Sequence, residues 1–325
     1  MITKERKASF FSLSYQLVHT YKLKSKETYP KPSSAIISRA SDLLIKGISK
    51  GEFYETKNEK FVILDYDIQK KYILILFNFT TDRYSDPTYY NDKAGTRNKI
   101  SKKQDEKMEF SCHVLIKRDV VNGDSEMIVE KVAGFSKLRL TNLINKAFRS
   151  AKVKNPLDFE YNHPDGSKDS TGKPRKCKFK FIVHVDGVPS HQMKNDIENG
   201  KISGLELISR QKFKNWDQAG YFTEKTTHVK MEFNAPQGSR MGSLKTFLKS
   251  LKSTHPDLDR AKLRFKPPGQ TKGTESADFD LSEQDPTNCE YYNKTASLNY
   301  NADNTSYSQI VPTIVNSMKY HLRIR

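Results

Sequence analysis

The chain has 325 residues, enough for one large or two ordinary domains. It carries 56 Lys and Arg against 38 Asp and Glu, a net charge of +18, and 35% of its residues are hydrophobic. The longest apolar run, 72–79, is too short to span a bilayer. The composition therefore argues against a helical membrane protein and favours a polyanionic partner, either nucleic acid or an anionic membrane surface.

Hydrophobic periodicity predicts an α+β fold of mixed or antiparallel sheets with packed amphipathic helices, arranged in two lobes at 1–153 and 173–325. Residues 82–107 are predicted to form a long loop. The other predicted elements of the first lobe are a strand at Phe10–Val18, a helix from Ser33 or Ser34 to Ile48, a hairpin of Phe61–Tyr66 and Tyr72–Phe79, strands at Met108–Lys117 and Met127–Val132, and a helix from Ser136 or Thr141 to Lys152.

The second lobe begins, after a loop at 155–171, with a strand that alternates lysines with apolar residues. Residues 267–306 are predicted to be mostly loop, with some structure at Tyr291–Leu298. The other predicted elements are a short helix at Val188–Asn199, strands at Leu205–Ile208, Thr226–Phe233 and Ala261–Phe265, a helix from Ser243 to Ser253, and a closing helix at Ser308–Ile324.

The positive charge is concentrated in two windows of the sequence. Residues 131–182 hold 13 Lys and Arg against 4 Asp and Glu, and residues 207–272 hold 14 against 5, so each window carries +9 and the remainder sums to zero. No acid occurs between Lys131 and Asp158 or between Glu232 and Asp257, so helical Glu–Lys pairing is absent from both stretches. We expect the two windows to form one composite cationic groove, although a charged face is often only solvated.

Twelve residues are predicted to contact a nucleic-acid backbone. They lie on the Lys-rich strand and the residues just before it, on the polar faces of two amphipathic helices, and in the turn 238–243, whose free amides would face phosphate. The predicted residues are Arg139, Lys146, Arg149, Lys173, Arg175, Lys176, Lys178, Lys180, Arg240, Lys245, Lys249 and Lys252. The segment Arg97–Lys103 is either a clamp on the duplex or a disordered loop.

Catalytic and metal-binding signals are weak, and no catalytic residue, metal or cofactor is predicted. The acids Asp278, Asp280 and Glu283 leave a metal-dependent nuclease as an alternative, against the reading of a solvated acidic loop. RNA binding is a further alternative. Three widely spaced cysteines without a signal peptide predict reduced thiols and a cytoplasmic location. Zinc-finger, leucine-zipper and RNA-binding signatures are absent, so binding should be salt-sensitive and indifferent to sequence.

The order of elements resembles the RexA family of phage-exclusion DNA-binding proteins of lambdoid prophages. The resemblance runs through the hairpin 61–79, the segment 129–135 (Val-Glu-Lys-Val-Ala-Gly-Phe) leading into a helix, the basic strand 261–267 and the closing helix 309–322. It implies an α+β homodimer that binds duplex DNA without strong sequence preference, senses phage DNA and signals to a membrane protein from the adjacent gene. Two-gene defence systems of the Kiwa type, which also combine a soluble DNA-binding protein with a membrane protein, would show a similar resemblance.

Overall fold

The protein is described from a computed structural model, and the fold is α+β, as predicted. The structure describes residues 5–20, 34–56, 58–82, 88–103, 106–188, 202–209, 227–231, 260–265, 275–280, 294–301 and 305–324, with single positions or pairs at 190–191, 195, 198–199, 243 and 246–247. Two compact units are present: residues 1–185 with 296–325, and residues 186–295. The Lys-rich strand and the closing helix, predicted for the C-terminal lobe, lie mainly in the first unit; the predicted lobe boundaries remain a prediction.

The first unit is built on a large, curled antiparallel sheet of nine strands with a few helices packed against it. Its strands are β1 (Glu5–His19), β2 (Gly51–Glu55), β3 (Glu59–Ile68), β4 (Tyr72–Thr81), β7 (Met108–Lys117), β8 (Asp124–Glu130), β9 (Glu160–Asn162), β10 (Lys176–Gly187) and β15 (Thr295–Asn301). The spatial order is β2-β3-β4-β7-β8-β1-β10-β9, and β15 also pairs with β1. The predicted hairpin of β3 and β4 is confirmed. The predicted turn at Asn122-Gly123 is confirmed as well, and both of these residues have a positive φ.

Helices cover both faces of this sheet. The helices are α1 (Ser34–Ser38), α2 (Ala40–Ile45), α3 (Lys137–Lys154) and α4 (Pro312–His321). The apolar stripe of α3 packs into a core with α2 and with alternate residues of β1, β4, β7 and β10. A Cβ on Gly47 would lie 1.9 Å from the Ala147 carbonyl oxygen, so glycine is required where the end of α2 meets α3. The predicted single helix at 34–48 is split at Arg39.

The segment that ends in α4 packs on the opposite face of the sheet. Residues 111 and 113 of β7 alternate with the core residues Cys112 and Val114, so they point away from α3. The Val311 amide donates to His113 Nε2 at 3.1 Å, and the Tyr307 amide donates to Ser111 Oγ at 2.6 Å. These bonds fix the segment before α4, whose Pro312 stands in the first turn as predicted.

The predicted long loops contain strands that the sequence did not reveal. Residues 88–99 form a separate two-stranded hairpin, β5 (Thr88–Asn91) and β6 (Thr96–Lys99), within the predicted loop 82–107. The predicted loop 267–306 contains the unpredicted strand β14 (Glu275–Asp280), whereas β15 overlaps Tyr291–Leu298, where some structure was predicted. The predicted loop 155–171 holds a 3₁₀ turn at Pro156–Phe159 and the short strand β9.

The second unit contains a four-stranded antiparallel sheet in the order β12-β11-β13-β14. The strands not yet given are β11 (Ile202–Ser209), β12 (Thr227–Met231) and β13 (Arg260–Phe265). The cross-strand register matches Leu205 with Met231 and Leu263, and Glu206 with Lys230 and Lys262. Most of the predicted helices at 188–199 and 243–253 lies outside the described residues. Of the described positions, 191, 195, 198, 243, 246 and 247 are helical, 188 and 190 have no regular structure, and 199 lies in a turn.

Candidate nucleic-acid interface

Strand β10 has the two faces that its alternating sequence predicts. Its apolar residues Cys177, Phe179, Phe181, Val183 and Val185 are buried in the core of the first unit. The intervening side chains of Lys176, Lys178, Lys180 and His184 are exposed. Burial of one face therefore forces three lysines to share the other, at a spacing of roughly 6.6 Å between successive lysines along the strand.

The neighbouring strand β9 supplies one partial counter-charge to this row. Lys178 is directly opposite Glu160, and its Nζ lies 3.4 Å from Glu160 Oε1, while 63% of the lysine side chain stays exposed. Lys176 is opposite Asn162 and donates to its Oδ1 at 2.6 Å, a contact that leaves the lysine charge unbalanced. An exposed ion pair of this kind contributes at most about 1 kcal/mol, so it does not remove the cationic character of the face.

Helix α3 brings a fourth ammonium group, that of Lys152, to the three lysines of the strand. Lys152 Nζ donates to the Phe179 carbonyl oxygen at 2.8 Å, between the positions of Lys178 and Lys180. Burial lowers the pKa of Lys152 below its usual value, the charges of Lys180 and Lys178 lower it further, and Glu160 acts in the opposite direction. We name Lys152, Lys178 and Lys180 the lysine cluster: three cations with one nearby carboxylate.

Asn145 holds α3 beside β10. Its Nδ2 donates to the Val183 carbonyl oxygen at 3.1 Å, and its Oδ1 accepts from the Val183 amide at 2.9 Å. The pairing of β9 with β10 covers only residues 176–178, so Asn145 and Lys152 satisfy backbone groups farther along the same strand. This arrangement carries the cationic side of α3 to the Lys-rich face. Neither residue was among the predicted site residues, although Lys152 follows Arg149 by one helical turn.

The predicted contacts on α3 divide into two groups. Arg139 forms a bidentate pair with the buried Glu59, because its Nε lies 3.0 Å from Oε2 and its Nη2 donates to Oε1. Its charge is therefore balanced from another part of the chain. Lys146 and Arg149 are exposed and precede Lys152 at intervals of one turn. They extend the lysine cluster along α3, whereas Arg139 has a structural partner.

Lys173 and Arg175 lie in the ordered turn that leads into β10. Asp169 accepts the amides of Thr171 at 2.8 Å and Lys173 at 3.1 Å, and its pKa is lowered by hydrogen bonds, chiefly from Thr171. Asp165 accepts from Ser167, which lowers its pKa to about 2. These carboxylates stay ionised and shape the turn through backbone amides. Lys173 is exposed and Arg175 is partly buried.

The four acids of the first basic window neutralise little of it. Asp158 pairs with Lys46, which is outside the window, at 2.5 Å, and Asp165 contacts His163 at 2.6 Å. Asp169 accepts hydrogen bonds from backbone amides. Among the described contacts, only Glu160 forms an ion pair with a lysine of the same window, Lys178. In the described contacts, these acids therefore supply one ion pair with a lysine of the window, and Arg139 is paired with Glu59 from outside it.

The second basic window is seen only in part. Arg240, Lys245, Lys249 and Lys252 lie outside the described residues, as does the turn 238–242. In the described strands, Lys262 is directly opposite both Glu206 and Asp278, Lys230 is opposite Glu206, and Arg260 is opposite Asp280. In this register, acidic positions of one strand are therefore matched with basic positions of the next. That the two windows form one groove remains a prediction.

The acidic residues that suggested a metal site are arranged differently from the expected loop. Asp278 and Asp280 belong to β14, opposite basic residues of β13, and Glu283 lies outside the described residues. Among the residues that the structure describes, no group of three or more His, Cys, Asp or Glu is placed to hold a metal ion. None of the described helices is both long and apolar enough to cross a membrane.

Comparison with known proteins gives no independent assignment. No family model matches the sequence. No curated protein matches it either.

Proposed function

We propose that the protein binds double-stranded DNA through its phosphate backbone, with little dependence on base sequence. The observation that carries the proposal is the lysine cluster, in which Lys152 from α3 meets Lys178 and Lys180 of β10 beside a single carboxylate, Glu160. Like charges brought together by folding repel one another, and an anion with several oxygen acceptors relieves that repulsion.

The surroundings of the lysine cluster support a polymeric anion. Lys146 and Arg149 extend the positive charge along α3, and Lys176 and Lys173 extend it along β10 and into the turn before it. A row of cations longer than one small ligand fits a repeating chain of phosphates. The Lys-rich face of β10 carries no Phe, Tyr or Trp, and His184 is its one aromatic side chain on which a single-stranded base could stack, which favours a duplex.

Gel-shift titrations test the proposal. Two duplexes of equal length and unrelated sequence should bind with similar affinity, and structured RNA should compete less well than duplex DNA. Affinity should fall by about a thousandfold or more between 50 and 200 mM salt if six to ten phosphates are contacted. Strong preference for one duplex, or for the RNA, would contradict the proposal. Incubation of plasmid with Mg²⁺ or Mn²⁺ separates a binder, which leaves it intact, from the nuclease alternative.

We further propose that the DNA binder is the sensor of a prophage or bacterial anti-phage exclusion system, acting in the cytoplasm as a homodimer with a membrane-protein partner from an adjacent gene. The support is the RexA-like order of elements together with the cationic surface. Cells expressing the gene with its neighbour should plate phage poorly, and Lys178→Gln with Lys180→Gln should restore plating. Exclusion that persists in this variant would contradict the sensor role.

A further inference from the structure

The hairpin β5–β6 stands apart from both larger sheets. It forms its own two-stranded sheet, and every side chain that the structure describes between residues 88 and 101 is exposed. A lone hairpin of this kind is at best marginally stable and contributes no core of its own. The described side chains of the hairpin therefore do not pack into a core, and a role in binding accounts for them better than a role in stability.

The tip of the hairpin is nevertheless well defined. Asn91 Oδ1 accepts the amides of Lys93 at 3.0 Å and Ala94 at 3.1 Å, and the Gly95 amide donates to the Asn91 carbonyl oxygen at 2.8 Å. Gly95 has a φ of +63°, a conformation that favours glycine. These bonds close a four-residue connection between the strands, so the hairpin has a set register and a narrow end.

That register sorts the side chains into two different faces. Tyr90 is directly opposite Arg97 and Thr88 is opposite Lys99, and residues directly opposite one another share a face. One face therefore carries Arg97, Lys99 and Tyr90, whose side chain is 58% exposed. The other face carries the neutral residues at 91, 96 and 98. The two cations within the paired strands, Arg97 and Lys99, thus share one face of the ribbon.

The charge around the hairpin matches a polyanion. Residues 88–103 contain five cations and one acid, Asp92, giving +4 in 16 residues. The cations are Lys93 at the tip, Arg97 and Lys99 on β6, and Lys102 and Lys103 just beyond it. An excess of positive charge on an exposed two-stranded ribbon suits the approach of β-ribbon proteins to a nucleic-acid groove.

We propose that the hairpin is an arm that enters the major groove of duplex DNA, with the Arg97–Lys99 face toward the DNA; this rests on the proposed function. Two strands lie about 4.8 Å apart, and with their side chains they fit a groove about 12 Å wide but not one about 6 Å wide. The hairpin thereby supplies a second contact, separate along the chain from the lysine cluster.

Methylation by dimethyl sulfate tests the groove, because the reagent attacks guanine N7 in the major groove and adenine N3 in the minor groove. The test compares the full chain, Arg97→Gln with Lys99→Gln, and the matched control Lys70→Gln with Lys71→Gln, which removes the same charge from the exposed β3–β4 turn. The expected result is protection of guanine N7 by the unaltered chain and by the control. The hairpin variant should still bind, lose that protection, and show a salt slope lower by about two.

Other outcomes separate the two proposals. Binding of the duplex by the unaltered chain with guanine N7 fully reactive, or with adenine N3 alone protected, overturns the arm and leaves the proposed function standing. Protection that persists in the hairpin variant also overturns the arm. Failure of the unaltered chain to bind duplex DNA overturns the proposed function itself. An unchanged thermal unfolding midpoint in the variant, expected because these side chains are exposed, shows that lost protection is not lost folding.

Discussion

Single residues decide how much of the basic surface is available to a ligand. Lys152 and Arg139 are both cations of α3, yet they have opposite surroundings. The pKa of Lys152 is lowered by burial and further by two nearby lysines, whereas Arg139 is bonded to the buried carboxylate of Glu59. The first arrangement is stabilised by an added anion, and the second already contains its own.

Titration of Lys152 measures the repulsion in the lysine cluster. Lys180→Gln should raise the pKa of Lys152, and Glu160→Gln should lower it, because these changes remove a repelling and an attracting charge respectively. Carbon NMR of the lysine Cε, assigned with Lys152→Gln, gives the value, and added duplex DNA should raise it. A pKa of Lys152 that is ordinary and indifferent to both substitutions would contradict the geometry.

The same shift has a consequence for stability. Since the pKa of Lys152 is lower in the folded protein than the ordinary lysine value of 10.5, the unfolded chain binds more protons between the two values. The contribution of Lys152 to the free energy of unfolding should therefore rise with pH through that window. Urea unfolding of the unaltered chain and of Lys152→Gln across the window checks the sign, and a contribution that falls with rising pH would contradict it.

Arg139 should behave as a structural residue. Arg139→Gln leaves Glu59 buried without its bidentate partner, at a cost on the order of 3 kcal/mol of unfolding free energy. Below its unfolding midpoint, the variant should retain most of its duplex affinity, unlike Lys180→Gln. Chemical unfolding measures the loss of stability and gel shifts measure the duplex affinity of both variants. Equal losses of affinity would show that Arg139 contacts DNA.

At the scale of elements, α3 protects the part of β10 that β9 leaves uncovered. Asn145→Ala removes both hydrogen bonds to Val183 and should lower the unfolding free energy by about 2 kcal/mol. Asn142→Ala, an exposed position one turn earlier on α3, should change it by less than about 0.5 kcal/mol. Hydrogen exchange at the Val183 amide should accelerate only in Asn145→Ala. Equal effects of the two substitutions would show that the hydrogen bonds between Asn145 and Val183 contribute little to stability.

Periodicity predicted the elements that bury one face. Strand β10 and helix α3 carry clear period-2 and period-3.6 patterns, so both their existence and their cationic sides were predicted. Strands β5 and β6 were missed because they are exposed on both faces and have no apolar repeat. The hydrogen bonds of Asn145 to Val183 were not predicted, because an asparagine in a helix gives no sign of a partner 38 residues away.

At the scale of the whole molecule, the closing helix covers the sheet face opposite α3. Met318 of α4 is fully buried, so Met318→Ala should cost about 2–5 kcal/mol. Asn316→Ala, two residues earlier and exposed, is the matched control and should change the unfolding free energy little. Thermal or urea unfolding measures both. A small effect at Met318 would mean that α4 is not packed on the sheet in solution.

The basic surface seen in the described residues covers less of the chain than the two basic windows of the sequence. The first basic window forms a surface on α3 and β10, with a separate basic hairpin at β5–β6. In the described strands of the second window, bases lie opposite acids, and the residues predicted to bind DNA there lie outside the described ranges. The composite groove could not be derived from the sequence, because charge counts do not give relative positions in space.

The salt dependence of duplex binding tests the lysine cluster most directly. Lys178→Gln with Lys180→Gln is compared with Lys70→Gln and Lys71→Gln, an equal loss of charge at an exposed turn of the same unit. If both lysines of the cluster contact phosphates, the slope of log affinity against log salt should fall by about two in the first variant and stay unchanged in the second. Identical slopes in the unaltered chain and both variants would contradict the account.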